Sequence, residues 1–485
     1  MVNSSKSRML MKNKEFEEFY DWNKLSPLFD EFVPQLIDLQ NDIDDSGLVV
    51  NLPDEKRTEI ENIGFSEEPR DPRDVANQML NDIYPYRMKT NSRRFFGFIP
   101  NAISPYSVFG DFLNSFVNPY GGGFTISAGI AAIEKETINF LGKSIGYDVK
   151  PVGGTFVSGG SNANLTAAIV ARDNKVNPHD ISKAVVYVSD QTHSSMAKGL
   201  HIVGISPENI VIIPSDNNFR MDIKELKNRI KNDISKGLKP FMVVASAGTT
   251  NTGSIDPLNE IADICKENNL WMHVDGAYGA SILLSSHKDL LKGIEKSDSV
   301  TWDGHKWLYQ TYGCAAIVVK NNINLLKSFH AHPEYLKDVE STEEEFNFWD
   351  MGIELTRPMR GAKLWFTMQT LGLENFRRLI DQGFVIGKKL QKEVEKYDDF
   401  EIICPSNIGI LNFRYYNDKF SESELDRINQ NISERAIKNN KTAFLTTILK
   451  GKTVLRFCCN HALTSEEDIK DIVGEIRKYI DEEIK

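Results

Sequence analysis

The sequence lacks the features that would place the protein in a membrane, in a secretory pathway or on a nucleic acid. Its 485 residues contain no apolar run of about 18 residues, which a membrane-spanning helix needs, and residues 1–20 lack the apolar core of a signal peptide. The formal net charge of −11 leaves no basic surplus for nucleic acids or anionic lipids. These absences predict a cytoplasmic protein that binds neither nucleic acid nor membrane.

Cysteine is also scarce. The five cysteines are an odd number and lack the short paired intervals at which cysteines hold a metal ion. Because free cysteines are among the most frequently buried residues, we expect reduced, buried thiols and no metal site.

A long central segment contains short apolar runs that alternate with helical patterns, such as those at residues 222–233 and 257–269. This alternation predicts an α/β fold, with a mostly parallel sheet covered by helices on both faces. Such sheets bind ligands at the carboxyl ends of their strands. Strands are predicted at residues 185–189, 209–213, 241–246, 271–274, 299–301 and 315–319.

The pattern changes on both sides of this segment and predicts three parts. Residues 1–90 are rich in charge and interrupted by prolines, so we expect a helical arm that packs on a partner subunit. Residues 91–371 form the large domain that carries the ligand site. Residues 372–485 return to mixed strands and helices and predict a small α+β C-terminal domain.

An aspartate and a lysine form the most informative chemical pattern. Asp275 ends an apolar run, and Lys306 follows among the rings of His305, Trp307 and Tyr309. A lysine in such surroundings loses proton affinity and becomes an amine that can bind an aldehyde covalently. A carboxylate keeps a basic ring nitrogen protonated, so the pair suits pyridoxal phosphate. The alternatives are a turn aspartate and a solvated surface lysine.

Three other segments place polar residues at the ends of predicted strands. Gly160, Ser161 and Asn162 follow a strand and open a helix, where backbone N–H groups bind a phosphate; a simple capped turn is the alternative. His193 is predicted to stack on the cofactor ring and to hydrogen-bond the substrate, although a lone histidine is usually structural. Ser246 is a candidate contact to the ring hydroxyl or to the aspartate.

In this order, the segments SGGSNANL, DQTHSS, GTTNTGSIDP, HVDGAYG and HKWLYQ resemble signatures of the group II pyridoxal-phosphate decarboxylases. The resemblance runs from about residue 91 to residue 461, and RFFGFIP and MGIELTRP resemble the bacterial tryptophan decarboxylases in particular. It implies the aspartate aminotransferase-like fold type I with a seven-stranded sheet. It also implies a homodimer with active sites at the interface.

The resemblance also implies roles for individual residues. Lys306 would hold pyridoxal phosphate covalently, and Asp275 would pair with its pyridine nitrogen. His193 would stack on one face of the ring and Ala277 would pack on the other. The remaining cofactor contacts would be Ser161 and Asp303 at the phosphate and His305 beside the lysine.

The implied reaction is decarboxylation of an aromatic L-amino acid, with L-tryptophan giving tryptamine and CO₂. By resemblance, the substrate lining is aromatic and aliphatic and offers no arginine for a side-chain carboxylate, which disfavours glutamate. Because tryptophan-specific relatives can carry histidine where this chain has Tyr120, phenylalanine and tyrosine remain alternative substrates. The expected lining residues are Phe98, Tyr120, Ile126, Trp349 and Leu355.

The proton donor that follows loss of CO₂ is left open. Animal-type members of the family carry a tyrosine shortly before a tryptophan, and counting back from Trp349 this chain has Phe346. Phenylalanine there is associated with aldehyde synthases, which decarboxylate and then deaminate oxidatively. Tyr335 and His193 are the alternative donors. We expect residues 331–348 to form a lid over the substrate, with a solvated loop as the alternative. A catalytically silent binding protein is the hypothesis from a different class.

Overall fold

The computed structural model describes residues 17–44, 47–100, 102–330 and 347–485 of the chain. The chain divides into two compact units, Met1–Ser92 and Arg93–Lys485. The described part of the first unit is largely helical, and Asp71 begins its third helix by accepting a hydrogen bond from the backbone of Arg73. The helices of this unit are α1 (Leu25–Asn41), α2 (Asp54–Glu61) and α3 (Pro72–Gln78).

A seven-stranded sheet organises the second unit, in the spatial order β1-β7-β6-β5-β4-β2-β3. Strands β2 to β6 are mutually parallel, whereas β7 runs antiparallel to its neighbours β1 and β6. The strands are β1 (Gly153–Val157), β2 (Ala184–Ser189), β3 (Ile210–Ile213), β4 (Lys239–Ser246), β5 (Trp271–Asp275), β6 (Ser299–Asp303) and β7 (Ala315–Val319). The predicted mostly parallel α/β sheet is confirmed.

Helices cover both faces of this sheet. Neighbouring residues of β4, Val243 and Val244, enter different apolar clusters, because successive side chains of a strand point to opposite faces. This double burial explains why the predicted strands are continuous apolar runs rather than alternating ones. The helices up to the C-terminal part are α4 (Pro105–Val117), α5 (Ala128–Ile145), α6 (Gly160–Lys175), α7 (Ser194–Ile202), α8 (Ile223–Ser235), α9 (Leu258–Glu267), α10 (Ile323–Phe329), α11 (Ala362–Leu371) and α12 (Leu373–Val394).

A four-stranded antiparallel sheet lies in the C-terminal part, in the order β10-β11-β9-β8. Its strands are β8 (Phe400–Cys404), β9 (Ile410–Tyr415), β10 (Leu445–Leu449) and β11 (Lys452–Cys458), with helices α13 (Glu422–Asn439) and α14 (Glu466–Glu483). Both helices begin with a capping box, Ser421 with Glu424 and Ser465 with Asp468. No helix in the described ranges is long and apolar enough to cross a membrane.

A buried ion pair joins elements that are distant in sequence. Arg357 binds the carboxylate of Glu134 on α5, and its guanidinium also donates to the carbonyls of Gly121 at 2.8 Å and Phe156 at 2.9 Å. The other carboxylate oxygen of Glu134 accepts from the backbone of Gly361 at 3.1 Å. These hydrogen bonds satisfy charges that would be costly to bury alone.

Replacing Glu134 by glutamine should therefore lower the free energy of unfolding by about 3 kcal/mol, because the buried Arg357 charge loses its counter-ion. Urea denaturation measures the change. The control is Glu374→Gln, which removes a pair with Arg377 whose side chains are 70% and 46% exposed. That loss should cost less than about 1 kcal/mol. Equal losses for the two variants would contradict the prediction.

Candidate active site

A cavity of about 330 Å³ opens at the carboxyl edge of the large sheet. Its walls are the residues that directly follow β1, β2, β4, β5 and β6, together with residues 305–306 and 312–313. Strand β1 is parallel to β6, since both are antiparallel to β7, so the N-terminus of α6 also lies at this edge. This is where a parallel α/β sheet binds its ligands.

The cavity brings together most of the cofactor contacts predicted from the sequence. The ones that line it are Gly160, Ser161, His193, Ser246, Asp275, Ala277, Asp303, His305 and Lys306. Asn162 is not among the lining residues, and its amide donates to the hydroxyl of Ser158 at 2.9 Å. Tyr335 and Phe346 lie outside the described residues, as does most of the loop at residues 331–348.

Lys306 lies on the loop after β6, and its Nζ is 3.3 Å from Oδ2 of Asp303, the last residue of that strand. Asp303 is almost completely buried, and its Oδ1 has no hydrogen-bond partner among the residues that the structure describes. His305 donates from Nδ1 to the carbonyl of Cys314 at 2.9 Å, and burial lowers the pKa of its imidazole.

The turn before α6 is shaped by its glycines. A Cβ at Gly160 would lie 2.8 Å from Oδ2 and 3.0 Å from Oδ1 of Asp303, so a side chain there would displace the carboxylate. At the neighbouring Gly159, whose backbone is extended, the nearest atom to a Cβ would be Cε1 of His305 at 3.7 Å. A side chain at Gly160 must therefore move the Asp303 carboxylate, whereas Gly159 accepts alanine.

Asp275 ends β5 beside Ser246 of β4, its partner in the parallel register. Its Oδ1 accepts from the backbone of Ala277 at 3.1 Å, and its Oδ2 accepts from the amide of Asn164 at 2.9 Å. The sequence analysis did not single out Asn164. The available signal was helical spacing: Asn164 follows Gly160 by one turn of α6 and shares its face, whereas Asn162 does not.

His193 begins helix α7 and is exposed on the cavity wall. Its Nδ1 accepts from the backbone of Ser195 at 3.2 Å and lies 2.9 Å from the hydroxyl of the same residue. These contacts hold the ring in one orientation. Other cavity residues that the sequence analysis did not name are Gln191, Ser195, Thr249, Tyr278 and Tyr312.

The predicted substrate residues do not line this cavity. Tyr120, Trp349 and Leu355 form a separate cluster, in which the Tyr120 hydroxyl donates to the Leu355 carbonyl at 3.0 Å and the rings of Tyr120 and Trp349 are 6.3 Å apart. Ile126 is half exposed, and its Cδ1 would lie 3.4 Å from a Cβ at Gly123, which adjoins the Trp349 ring. Phe98 is exposed and has a positive φ of 49°.

His273 is buried in β5, two residues before Asp275 and on the same face of the strand. Burial lowers the pKa of its imidazole to about 4, against the opposing effect of the Asp275 charge. The unfolded chain therefore binds a proton more tightly than the native chain between about pH 4 and pH 6.5. Native stability must fall as the pH falls through this window.

The stability advantage of the wild type over His273→Gln should therefore shrink by about 2 kcal/mol between pH 7 and pH 5, since one pKa unit corresponds to about 1.4 kcal/mol. Urea denaturation at both pH values measures it. The same substitution at the exposed His179 is the control. An advantage that is unchanged at pH 5 would contradict a neutral, buried His273.

Comparisons with known proteins agree with this chemistry. The chain matches the family described as "Pyridoxal-dependent decarboxylase conserved domain" over residues 53–416. It is 37% identical to an aromatic-L-amino-acid decarboxylase of Bacillus atrophaeus, with 85% of this chain and 86% of the relative covered. It is 30% identical to a phenylacetaldehyde synthase of Petunia hybrida, with 84% of each chain covered.

A solved structure has the same fold over nearly the whole chain. The structure of Oryza sativa TDC with PLP and tryptamine superposes with a TM-score of 0.90 at 25% identity, covering 95% of this chain and 98% of that chain. Pyridoxal phosphate is the cofactor of the family, and the cavity fits it: an amine and a carboxylate line one space, and a glycine turn at the N-terminus of α6 adjoins them. The resemblance seen in the sequence is confirmed, and the chain belongs to the pyridoxal-dependent decarboxylase family.

Proposed function

We propose that this protein decarboxylates an aromatic L-amino acid, with L-tryptophan, which gives tryptamine, as the preferred substrate. The observation that carries the proposal is the meeting of Lys306 and Asp275 in one cavity at the carboxyl edge of the sheet. The relative from Bacillus atrophaeus is named for aromatic amino acids, and the rice structure contains tryptamine. Phenylalanine and tyrosine are the alternative substrates.

Pyridoxal phosphate, when bound, withdraws the electron pair that the departing CO₂ leaves on the substrate. Lys306 would hold its aldehyde carbon, and the ionised Asp275 would keep its ring nitrogen protonated. His193 and Ala277 would enclose the ring, with Ser246 near its hydroxyl. The backbone N–H groups at the start of α6, with Gly160, Ser161 and Asn162, would bind the phosphate, and Asp303 and His305 would complete that corner.

A glutamate side chain would need a cationic partner when buried. The lining we propose for the substrate side chain offers rings and aliphatic groups instead: Phe98, Tyr120, Ile126, Trp349 and Leu355. Since these residues lie outside the cavity of their own chain, we propose that some of them reach the cavity of a second copy. Tyr335 or His193 would protonate the substrate carbon after CO₂ is lost.

We also propose that the protein is a homodimer. Helix α4 presents Phe109, Phe112 and Phe116 along one stripe, with ring centroids 6.1 Å and 5.7 Å apart, and Phe109 is 49% exposed. Beside the stripe lies an apolar cavity of about 450 Å³, lined in part by Leu113, Val117 and Trp365. Continuous apolar surface of this kind is typical of an interface between subunits.

The remaining proposals concern organisation and location. Residues 1–90 are proposed to form an arm on the partner subunit, residues 91–371 the cofactor-binding domain, and residues 372–485 a small domain. We also propose a cytoplasmic location, which the five free, buried cysteines support.

The phosphate assignment predicts different outcomes for two neighbouring glycines. Gly160→Ala should weaken pyridoxal phosphate binding at least about tenfold, because its Cβ would meet the Asp303 carboxylate at 2.8 Å and push the turn, with its N–H groups, away from the phosphate. Gly159→Ala should change it less than about threefold, since its Cβ makes an ordinary contact. Equilibrium binding to the cofactor-depleted proteins measures both. A Gly160→Ala protein that binds as tightly as the wild type would contradict the assignment.

The substrate assignment predicts that amine and CO₂ form fastest from L-tryptophan, and more slowly from phenylalanine and tyrosine. Glutamate should give no turnover, because the proposed lining has no cation for its side-chain carboxylate. Chromatography of the products and CO₂ release measure these rates, with Lys306→Ala as the inactive control. Faster turnover of glutamate would contradict an aromatic pocket.

The second candidate is an aldehyde synthase, which Phe346 favours and to which the Petunia hybrida relative belongs by name. In that case O₂ would be consumed, and ammonia, peroxide and an aldehyde would be released from the same substrates. An oxygen electrode and an ammonia assay distinguish the reactions. We expect amine without O₂ consumption, and stoichiometric ammonia would overturn that expectation.

The interface assignment predicts that Phe109→Glu dissociates the dimer, because a charge would be buried in the apolar stripe. Sedimentation should give a species near 54.9 kDa for the variant and twice that mass for the wild type. Ile234→Glu is the control, since Ile234 is equally exposed at 50% but lies on α8. A wild type that sediments as a monomer would contradict the proposal.

A further inference from the structure

Asn164 occupies a junction behind the cavity. It is only 1% exposed, and its Nδ2 lies 2.9 Å from Oδ2 of Asp275 and 3.1 Å from the hydroxyl of Ser195. The amide thus has two hydrogens and two acceptors. The first acceptor is the carboxylate of Asp275, which is proposed to hold the ring nitrogen. The second is the hydroxyl of Ser195, which is the hydrogen-bond partner of His193.

The opposite side of the same amide faces donors. Oδ1 of Asn164 accepts from the hydroxyl of Thr301 at 2.7 Å and lies 3.1 Å from Nε2 of His273. Because an ionised carboxylate can only accept, Nδ2 must face Asp275 and Oδ1 must face His273. His273 therefore carries its hydrogen on Nε2 and donates it to Asn164.

The series of hydrogen bonds extends away from the cavity and keeps one direction. Since a neutral imidazole has one hydrogen, Nδ1 of His273 is an acceptor, and the hydroxyl of Ser299 at 2.9 Å donates to it. Ser299 in turn accepts from the indole nitrogen of Trp271 at 2.9 Å, and an indole can only donate. The chain therefore runs one way, from Trp271 through Ser299, His273 and Asn164 to the carboxylate.

The second branch reaches His193. The backbone N–H of Ser195 donates to Nδ1 of His193, so this nitrogen carries no hydrogen in the neutral ring. The hydroxyl of Ser195 can then donate to Nδ1 while it accepts from Asn164. This leaves the hydrogen of the neutral imidazole on Nε2, where a proton donor to the cavity needs it.

We propose that Asn164 is a positioning residue that holds the Asp275 carboxylate by a donated hydrogen bond and sets the tautomer of His193. It is the end of a directional hydrogen-bond chain that starts at Trp271. The inference rests on the proposed role of Asp275 at the cofactor's ring nitrogen. A donated hydrogen bond stabilises the ionised carboxylate, and the ionised carboxylate stabilises the protonated ring nitrogen.

The side chains of this hydrogen-bond chain must be uncharged for Asn164 to have this role. Burial keeps the His273 imidazole uncharged near neutral pH, so it orients Asn164 without placing a positive charge beside Asp275. The negative charge of Asp275 then acts on the ring nitrogen alone. The groups around His273 are the Asp275 carboxylate, the backbone of Ser299, and the neutral side chains of Asn164, Ser299 and Thr301.

The first test compares Asn164→Ala with Asn429→Ala in the holoenzyme reconstituted with ring-¹⁵N-labelled pyridoxal phosphate. Asn429 is equally buried and makes three hydrogen bonds, all to backbone groups, but it lies in the C-terminal part of the chain. Asn164→Ala should move the ring-nitrogen resonance towards the unprotonated position and weaken cofactor binding about tenfold. Asn429→Ala should lower stability only. An unmoved resonance in Asn164→Ala would overturn the inference.

The second test substitutes His273 by residues that either keep or break the hydrogen-bond chain. Glutamine can place an amide donor near the position of Nε2, whereas asparagine reaches only the position of Nδ1. His273→Gln should therefore stay within about threefold of wild-type cofactor affinity, and His273→Asn should resemble Asn164→Ala. Equal effects of the two substitutions, on both the resonance and the affinity, would show that His273 has no directional role.

An Asp275→Asn holoenzyme separates this inference from the proposed function. If it keeps the wild-type resonance, Asp275 is not the partner of the ring nitrogen and the proposed function loses its main assignment. If Asp275→Asn moves the resonance but Asn164→Ala and His273→Asn do not, the assignment of Asp275 stands and the hydrogen-bond chain is refuted.

Discussion

The parallel register of β4, β5 and β6 is the constraint on which the rest of the site depends. It places Ser246 beside Asp275 and Asp275 beside Thr301, so that β4 and β5 end together and β6 continues two residues further, to Asp303. The backbone ladder fixes these positions before any side chain makes a contact. Lys306 and the start of α6 then come to the same edge, because the connections that follow the strands are short.

The same register explains how polar groups are accommodated inside an apolar sheet. His273 and Asp275 lie on one face of β5, and their partners in register, Ser299 and Thr301, lie on the same face of β6. Four polar side chains therefore meet on one face of the sheet. Asn164 reaches them from α6 and completes their hydrogen bonds. Burying such a network is tolerable only when each member is satisfied, which ties the local fold to the orientation of Asp275.

The extent to which the sequence predicts this site follows from the same geometry. Residues that come directly after buried strands, such as Asp275 and Lys306, could be placed because a strand end fixes their edge. His273 lies inside an apolar run, where a polar residue gives no local signal, and Asn164 was indicated only by its helical spacing from Gly160. The predicted substrate residues lie on segments whose distances from the cavity depend on tertiary packing, which periodicity does not encode.

The separation between the cavity and the cluster of Tyr120, Trp349 and Leu355 has a physical consequence. Arg357, through its buried pair with Glu134 and its bond to Gly121, fixes the backbone on both sides of this cluster, and Tyr120 bonds to Leu355 directly. None of these residues lines the cavity of the same chain. A rigid surface of this kind would lose little conformational entropy on binding a second copy of the chain. In the proposed homodimer, cofactor chemistry and side-chain selection would depend on different parts of one fold.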